Sequence, residues 1–345
     1  MIGHAALTDA LAMEPQTSMS RWVSTLRVDP MPPLVGSRNP SVAWYARRDL
    51  LDQAAGPVKT LWDLPLAERI LRKQRADGSW KYPGQEKAPY QDYTLLETFR
   101  NLGFLVEQLG FDRRHPAIVR SAAYVFSCQA AEGDFRGIYG QQYATTYAPA
   151  LMELLIKAGY ADDPRIERGF HWLLSIRQSD GGWTIPFLTT GMSWDEGVRA
   201  AEPIQPDRSK PFSHLATGTV LRAFAAHPLW RLSEAAVQAG GLLSDRFFKP
   251  DRYPGRNAAS FWDRVSFPFW FTDIVSALDS LSLLGFSARE PTIASALQWL
   301  RDRQRDDASF GVGLLRAGSG KDTQTWVDLA ICRVFKRCFS QAGVQ

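Results

Sequence analysis

The acid with the least ordinary surroundings in this chain is Asp273, which stands in FPFWFTDIVSAL behind four aromatic rings. Burial in such a setting disfavours the carboxylate and raises the pKa, and a carboxylic acid kept protonated near neutrality can deliver a proton to an olefin or an ether oxygen. A helix-end reading competes with this one. With Thr272 as cap, Asp273 falls in the first helical turn, where free N–H groups and the positive end of the dipole favour the charged form. Full burial can shift an acid by about 3 to 5 units, whereas exposed helix-end effects stay below about 1 kcal/mol. The direction of the side chain therefore decides. His214 and Asp92 begin other helical stretches and are the expected supporting polar groups. Tyr93, Tyr143, Thr146, Trp194 and Trp270 are the expected contacts to an apolar substrate.

Other chemistries find less support. The 345 residues are 45% hydrophobic, 22% charged and 12% aromatic, an ordinary globular composition. The net charge of +4 is small and the arginines are scattered, so no nucleic-acid footprint is expected. Cys128, Cys332 and Cys338 are too few for a disulfide framework, which suits a reducing, cytoplasmic setting. His4, His115, His171, His214 and His227 have no metal-ligand spacing with them, so neither metal nor cofactor is expected. No basic region followed by an apolar core marks a secretory leader, and the longest apolar run, Val265 to Phe286, contains Pro268, Asp273 and Asp279 and reads as a buried helix rather than a bilayer span. Phosphate-loop, nucleophile-elbow and His-Glu-x-x-His strings are absent from the sequence.

The elements that must position these residues come from a repeat. Gln74 to Trp80, Gln129 to Phe135 and Gln304 to Phe310 share the form Gln, three residues, small, any, aromatic, and Gln178 to Trp183 is one residue shorter. Before each turn of the later units lies the same punctuation, in which an apolar helix closes on glycine and a second helix opens on proline: Gly110 and Pro116, Gly159 and Pro164, Gly285 and Pro291. Proline at the first helical position sacrifices no hydrogen bond, and glycine accepts the left-handed closing conformation. The 126 residues from Gln178 to Gln304, against 55 and 49 for the earlier intervals, must hide a further unit. His214 to Ala226 and Ser233 to Phe247 supply it, with FFKPDRYPGRN in place of the turn. The link from Thr184 to Phe212 is long enough to be a functional flap.

First helices such as LLETFRNLGFLVEQL are apolar nearly all round, while second helices carry an Arg and Glu face, so inner and outer positions follow. About six such hairpins predict a single all-α domain, an α/α toroid over residues 41–345, preceded by a partly ordered arm, 1–40. The unpaired last helix, Thr325 to Phe339, should pack beside the Ser41 to Ala54 helix, and the arm can supply the missing outer element. All inner helices then start on one face, which gathers Asp92, Tyr93, Tyr143, Thr146, His214, Trp270 and Asp273, with Asp322 and Gln324, around one mouth.

The turns and alternating helices resemble the QW-type repeats of squalene-hopene cyclases and the related barrels of protein prenyltransferase beta subunits, over roughly residues 41–340. The resemblance implies inner helices around an apolar cavity for an isoprenoid chain. It also implies scaffold roles for Gln74, Trp80, Gln129, Phe135, Gln178, Trp183, Gln304 and Phe310, each ring stacking on the next outer helix while the glutamine ties a helix end. The Asp-x-Asp-Asp acid of class II cyclases and the Asp-x-Cys zinc motif of the prenyltransferases do not occur here. Three functions stay open: a cyclase-like or prenyl-transfer-like enzyme with a hydrophobic ligand, a catalytically silent toroid binding a lipid or a partner protein, and a carbohydrate-active toroid. Peripheral membrane contact and the oligomeric state are left open too. Cavity polarity separates the three: an apolar tunnel, a filled centre, or an open groove with paired carboxylates.

Overall fold

A computed structural model describes residues 18–315 and 320–340; residues 1–17 of the expected arm lie outside them. The described chain is helical: α1 (Ser18–Val23), α2 (Met31–Val35), α3 (Pro40–Leu50), α4 (Pro65–Leu71), α5 (Tyr93–Gly103), α6 (Pro116–Ser127), α7 (Ala148–Leu155), α8 (Pro164–Ser175), α9 (Trp194–Arg199), α10 (His214–Ala226), α11 (Glu234–Ser244), α12 (Ile274–Leu283), α13 (Pro291–Arg301) and α14 (Thr323–Ser340). Proline opens α3, α4, α6, α8 and α13, where its missing N–H has no helical partner to lose. Gly110 and Gly159 close two inner stretches at φ +62° and +99°, a conformation that costs other residues a clash.

Every residue of α7 is buried, and α10 is buried except at Leu215 and Ala226, whereas α8 and α13 bury only one face. The inner helices neighbour one another in the order α5, α7, α10, α12, α14, α3. The last inner helix thus lies beside the first. Arg333 on α14 pairs with Asp49 on α3 at 2.6 Å, and the rings of Tyr45 and Trp326 meet at 5.8 Å. On its other side Tyr45 reaches Gly110, beyond α5, where an added Cβ would stand 3.0 Å from its hydroxyl.

The first three turn glutamines reach forward. Gln74 Nε2 donates to Ala117 O of α6 at 2.8 Å, Gln129 Nε2 to Arg165 O of α8 at 2.8 Å, and Gln178 Nε2 to Asp207 O and Lys210 O at 2.9 Å. The tryptophan N–H groups reach back: Trp80 Nε1 donates to Ile70 O at 2.8 Å and Trp183 Nε1 to Leu173 O at 2.7 Å, both near the end of their own outer helix. The last carbonyls of a helix have no intrahelical donor, so they are the acceptors a buried indole finds. The main-chain N–H groups of three of these aromatics meet the next inner helix: Trp80 at Thr98, Trp183 at Thr217 and Phe310 at Asp328.

The expected helix from Val265 to Phe286 is helical only from Ile274 onward. Pro268 has no N–H to give, and Asp273 caps α12, so the preceding residues form a non-helical segment with bends at Phe267, Pro268 and Phe271. This segment packs against three of the inner helices, and its Phe267 and Phe269 line a space of about 840 Å³ together with residues of α3, α12 and α14. Phe267 stacks on Trp326 of α14 at 5.1 Å, Trp270 meets Phe99 of α5 at 5.3 Å, and Arg222 of α10 lies 5.8 Å over Phe269.

Candidate functional site

At the starts of α10 and α12 lies a cavity of about 180 Å³. Its apolar walls are Tyr139, Ile185, Leu188, Trp194, Leu215 and Phe271, and its polar points include Thr146, Thr219, Thr272, Asp251 and Arg256. The connector from Thr184 to Phe212 forms one side of it. That connector is ordered by a capping box between Ser193 and Glu196 at the start of α9, and by Gln142 Nε2, which donates to Ala200 O at 3.1 Å and Glu202 O at 2.8 Å. Phe187, Leu188 and Val198 give it a small core of its own.

Thr146 and Trp194, two of the expected contact residues, line this cavity, Thr146 bonding Tyr139 Oη at 2.6 Å and Trp194 meeting the Tyr139 ring edge-on at 4.9 Å. Trp194 keeps 36% of its surface open at the rim. His214 and Asp273 stand immediately beside the walls Ser213, Leu215 and Thr272 without lining the space themselves. The remaining expected residues are elsewhere. Asp92 caps α5 through the Leu95 N–H at 2.8 Å, Tyr93 Oη accepts from the N–H groups of Lys87 and Ala88, and Tyr143 Oη accepts from Gln205 Nε2 of the connector. Trp270 packs on α5. α7 starts at Ala148, so Tyr143 and Thr146 belong to the loop before it and diverge.

Asp273, rather than Thr272, is the cap of α12. Its Oδ1 accepts from the N–H groups of Val275 and Ser276 at 2.9 Å, and Thr272 Oγ1 donates to Leu215 O at 2.7 Å. Its Oδ2 is buried and has no partner among the described residues. Burial pushes this carboxyl up to about 7, against the pull of the two N–H groups and Arg222. Capping and a raised pKa coexist because only one oxygen faces the helix. His214 Nδ1 stands 3.0 Å from Asp251 Oδ2 but off the hydrogen-bond direction, and its ring stacks on Trp262 at 4.6 Å. Burial pulls the imidazole down to about 4, opposed by Asp251 and reinforced by Arg246.

Sequence reasoning missed Tyr139, Asp251 and Arg256. Asp251 accepts from Ser213 Oγ, Leu215 N and Tyr253 N, so it ties the Asp251–Arg256 turn to the start of α10. Arg256 adopts φ +46°, covers Phe271 at 3.8 Å and leaves its buried Nε without a partner among the described residues. Both sit in the FFKPDRYPGRN stretch, which has no periodicity to mark them. Among the described residues no cluster of three His, Cys, Asp or Glu side chains is placed for a metal, and no helix is long and apolar enough to cross a membrane.

Comparison with known proteins adds the following. Residues 91–188 match the family model of the squalene-hopene cyclase C-terminal domain. A probable squalene–hopene cyclase of Sinorhizobium fredii (strain NBRC 101917 / NGR234) is 33% identical over 86 residues, 25% of this chain and 13% of that protein. Among solved structures, the type II terpene cyclase MstE from Scytonema aligns with a TM-score of 0.41 at 13% identity, covering 81% of this chain and 85% of that one. A variant of it in complex with geranylgeranyl dihydroxybenzoate gives 0.43 at 14% identity, covering 89% and 98%. The chain thus spans 13% of the length of its curated relative. Its stretch 91–188, which holds two of the Gln-to-aromatic turns and the cavity walls Tyr139, Thr146, Ile185 and Leu188, is similar to the C-terminal domain of squalene-hopene cyclases.

Proposed function

We propose that this protein binds an apolar, isoprenoid-type ligand by one end, in the cavity beside the 184–212 connector. The observation that carries this reading is the wall of that cavity: a mostly apolar lining, five of its residues lying in the squalene-hopene-cyclase-like stretch. Ligand pockets commonly run from about 300 to 1,000 Å³, so about 180 Å³ is short of a whole polyene. At roughly 30 Å³ for a small heavy-atom group, it takes about one prenyl unit. The rest of the chain would pass Trp194 at the open rim. Asp251 is the one carboxylate among the described walls and is committed to three donors, so a paired-carboxylate sugar site has no support here.

A second reading is favoured by Asp273. A carboxyl held near pH 7, with one oxygen unpartnered and its neighbour Thr272 on the cavity wall, suits proton delivery to a bound olefin. His214, kept neutral, then packs on Trp262 at the α10 start, and no cofactor is needed for that step.

Titration with farnesol, followed by Trp fluorescence and native mass spectrometry, tests the binding reading. Saturable one-to-one binding that Leu215→Trp abolishes and Trp194→Ala weakens is expected. Unchanged binding in both variants would remove the ligand from this cavity. The acid reading requires turnover that Asp273→Asn abolishes while farnesol binding persists.

A further inference from the structure

Two larger spaces open on the protein surface with similar numbers of cations, and they use them differently. One, about 840 Å³, lies where the inner helices end. Its cations are paired: Arg114 with Asp112, Lys157 with Glu107, Arg333 with Asp49, Lys336 with Asp52 and Arg337 with Asp279. Those pairs lock helix ends together and leave little positive charge for a ligand.

The other is a groove of about 600 Å³ bounded by α3, α4, α5 and the start of α14. Arg38, Arg69, Lys73, Lys81 and Lys321 stand on its rim, and among the described residues none has a carboxylate within 4.0 Å. The two acids there are already engaged. Asp322 accepts from Asn39 Nδ2 at 2.9 Å, and Glu97 pairs with Arg100 at 3.5 Å. Below the rim the lining turns apolar, with Ile70, Trp80, Phe104, Leu109 and Trp326. Five cations against two acids around one concavity is an arrangement that repels itself and focuses positive potential into the groove.

We infer that this groove holds an amphiphilic anion, an apolar chain ending in a phosphate ester. The chain lies on the aromatic and aliphatic floor, and the phosphate meets the rim. A phosphate fits better than a carboxylate because it offers several oxygens and up to two charges to cations that approach from separate elements. The groove shares no lining residue with the cavity of the proposed function, so the two readings stand or fall separately.

Isothermal titration below the micellar limit with dodecyl phosphate, dodecanol and inorganic phosphate tests this. Dodecyl phosphate should bind about tenfold or more tightly than either other probe, and more weakly as salt is raised. The Lys73→Glu/Lys81→Glu variant, altered only at exposed side chains, should lose about tenfold in affinity, while Trp194→Ala keeps the wild-type value. Equal binding of dodecanol, or an unchanged affinity in the double variant, would overturn the assignment. So would binding to anionic vesicles without binding of submicellar dodecyl phosphate, since the cations would then serve a membrane surface instead.

Discussion

Gln304 grips the main chain at Val28. Its Oε1 accepts from the N–H groups of Arg27 and Val28 at 2.8 and 3.1 Å, and its Nε2 donates to Val28 O at 2.8 Å. The other turn glutamines hold the chain that follows them; this one holds a segment 276 residues earlier in sequence, so Arg27 and Val28 meet this turn as the starts of α6 and α8 meet the turns of Gln74 and Gln129. Gln304→Ala strands two buried-side donors and an acceptor and should cost about 1 to 3 kcal/mol. Asp306→Ala in the same turn, where the side chain is fully exposed, should be near neutral. Urea unfolding of both variants decides it, and equal midpoints would deny the arm that role.

The fold was legible where the backbone needs particular residues. Gly110, Gly159 and the helix-opening prolines mark hairpins because left-handed and N–H-free positions accept few alternatives. The site was less legible because it depends on which way loops run. Tyr143 and Thr146 are three residues apart in sequence, yet one bonds the connector and the other the cavity wall. The FPFWF string has the apolar composition of a buried helix, and only Pro268 and the cap at Asp273 reveal that it is an irregular, non-helical segment. Arg256 and Asp251 lie in an aperiodic turn, where side-chain spacing carries no information about what they face.

The turn aromatics should behave as core. Trp183 is fully buried, with its indole N–H bonded to Leu173 O and its ring 5.6 Å from Phe224. Trp183→Ala removes that packing and strands the Leu173 carbonyl, for an expected loss of about 3 to 5 kcal/mol. Farnesol affinity in the folded fraction should stay as it was. A variant that unfolds at the wild-type urea concentration would contradict the scaffold role.

Arg222 and Glu153 form an ion pair in the interior, Nη2 to Oε2 at 2.6 Å, with Lys157 on the other Glu153 oxygen at 2.7 Å. Burial alone would raise the Glu153 carboxyl, yet Arg222 and Lys157 hold it below the usual range. Arg222→Met should cost about 3 kcal/mol or more, because an acid is left buried with one partner fewer. Arg222→Met combined with Glu153→Gln should recover much of that loss. A double-mutant cycle in urea with no coupling between the two sites would show that the pair is incidental.

The pH dependence of stability sets Asp273 against His214. Asp273 binds its proton more tightly in the fold, at about 7 against an ordinary 3.8, so its contribution is complete below the lower value and is lost as pH rises through the upper one. Asp134 and Asp328, pushed up by burial to about 6, add the same slope. His214 is depressed to about 4 from 6.5, so its contribution is present above the higher value and is lost as pH falls through the lower one. The two effects oppose each other between about pH 4 and 6.5. His214→Gln should therefore steepen the fall in stability with rising pH across that window, and Asp273→Asn should flatten or reverse it. Urea midpoints measured at several pH values across the window test both signs, and parallel profiles for wild type and Asp273→Asn would mean that Asp273 titrates like an exposed carboxylate, leaving it a helix cap with no proton held for chemistry.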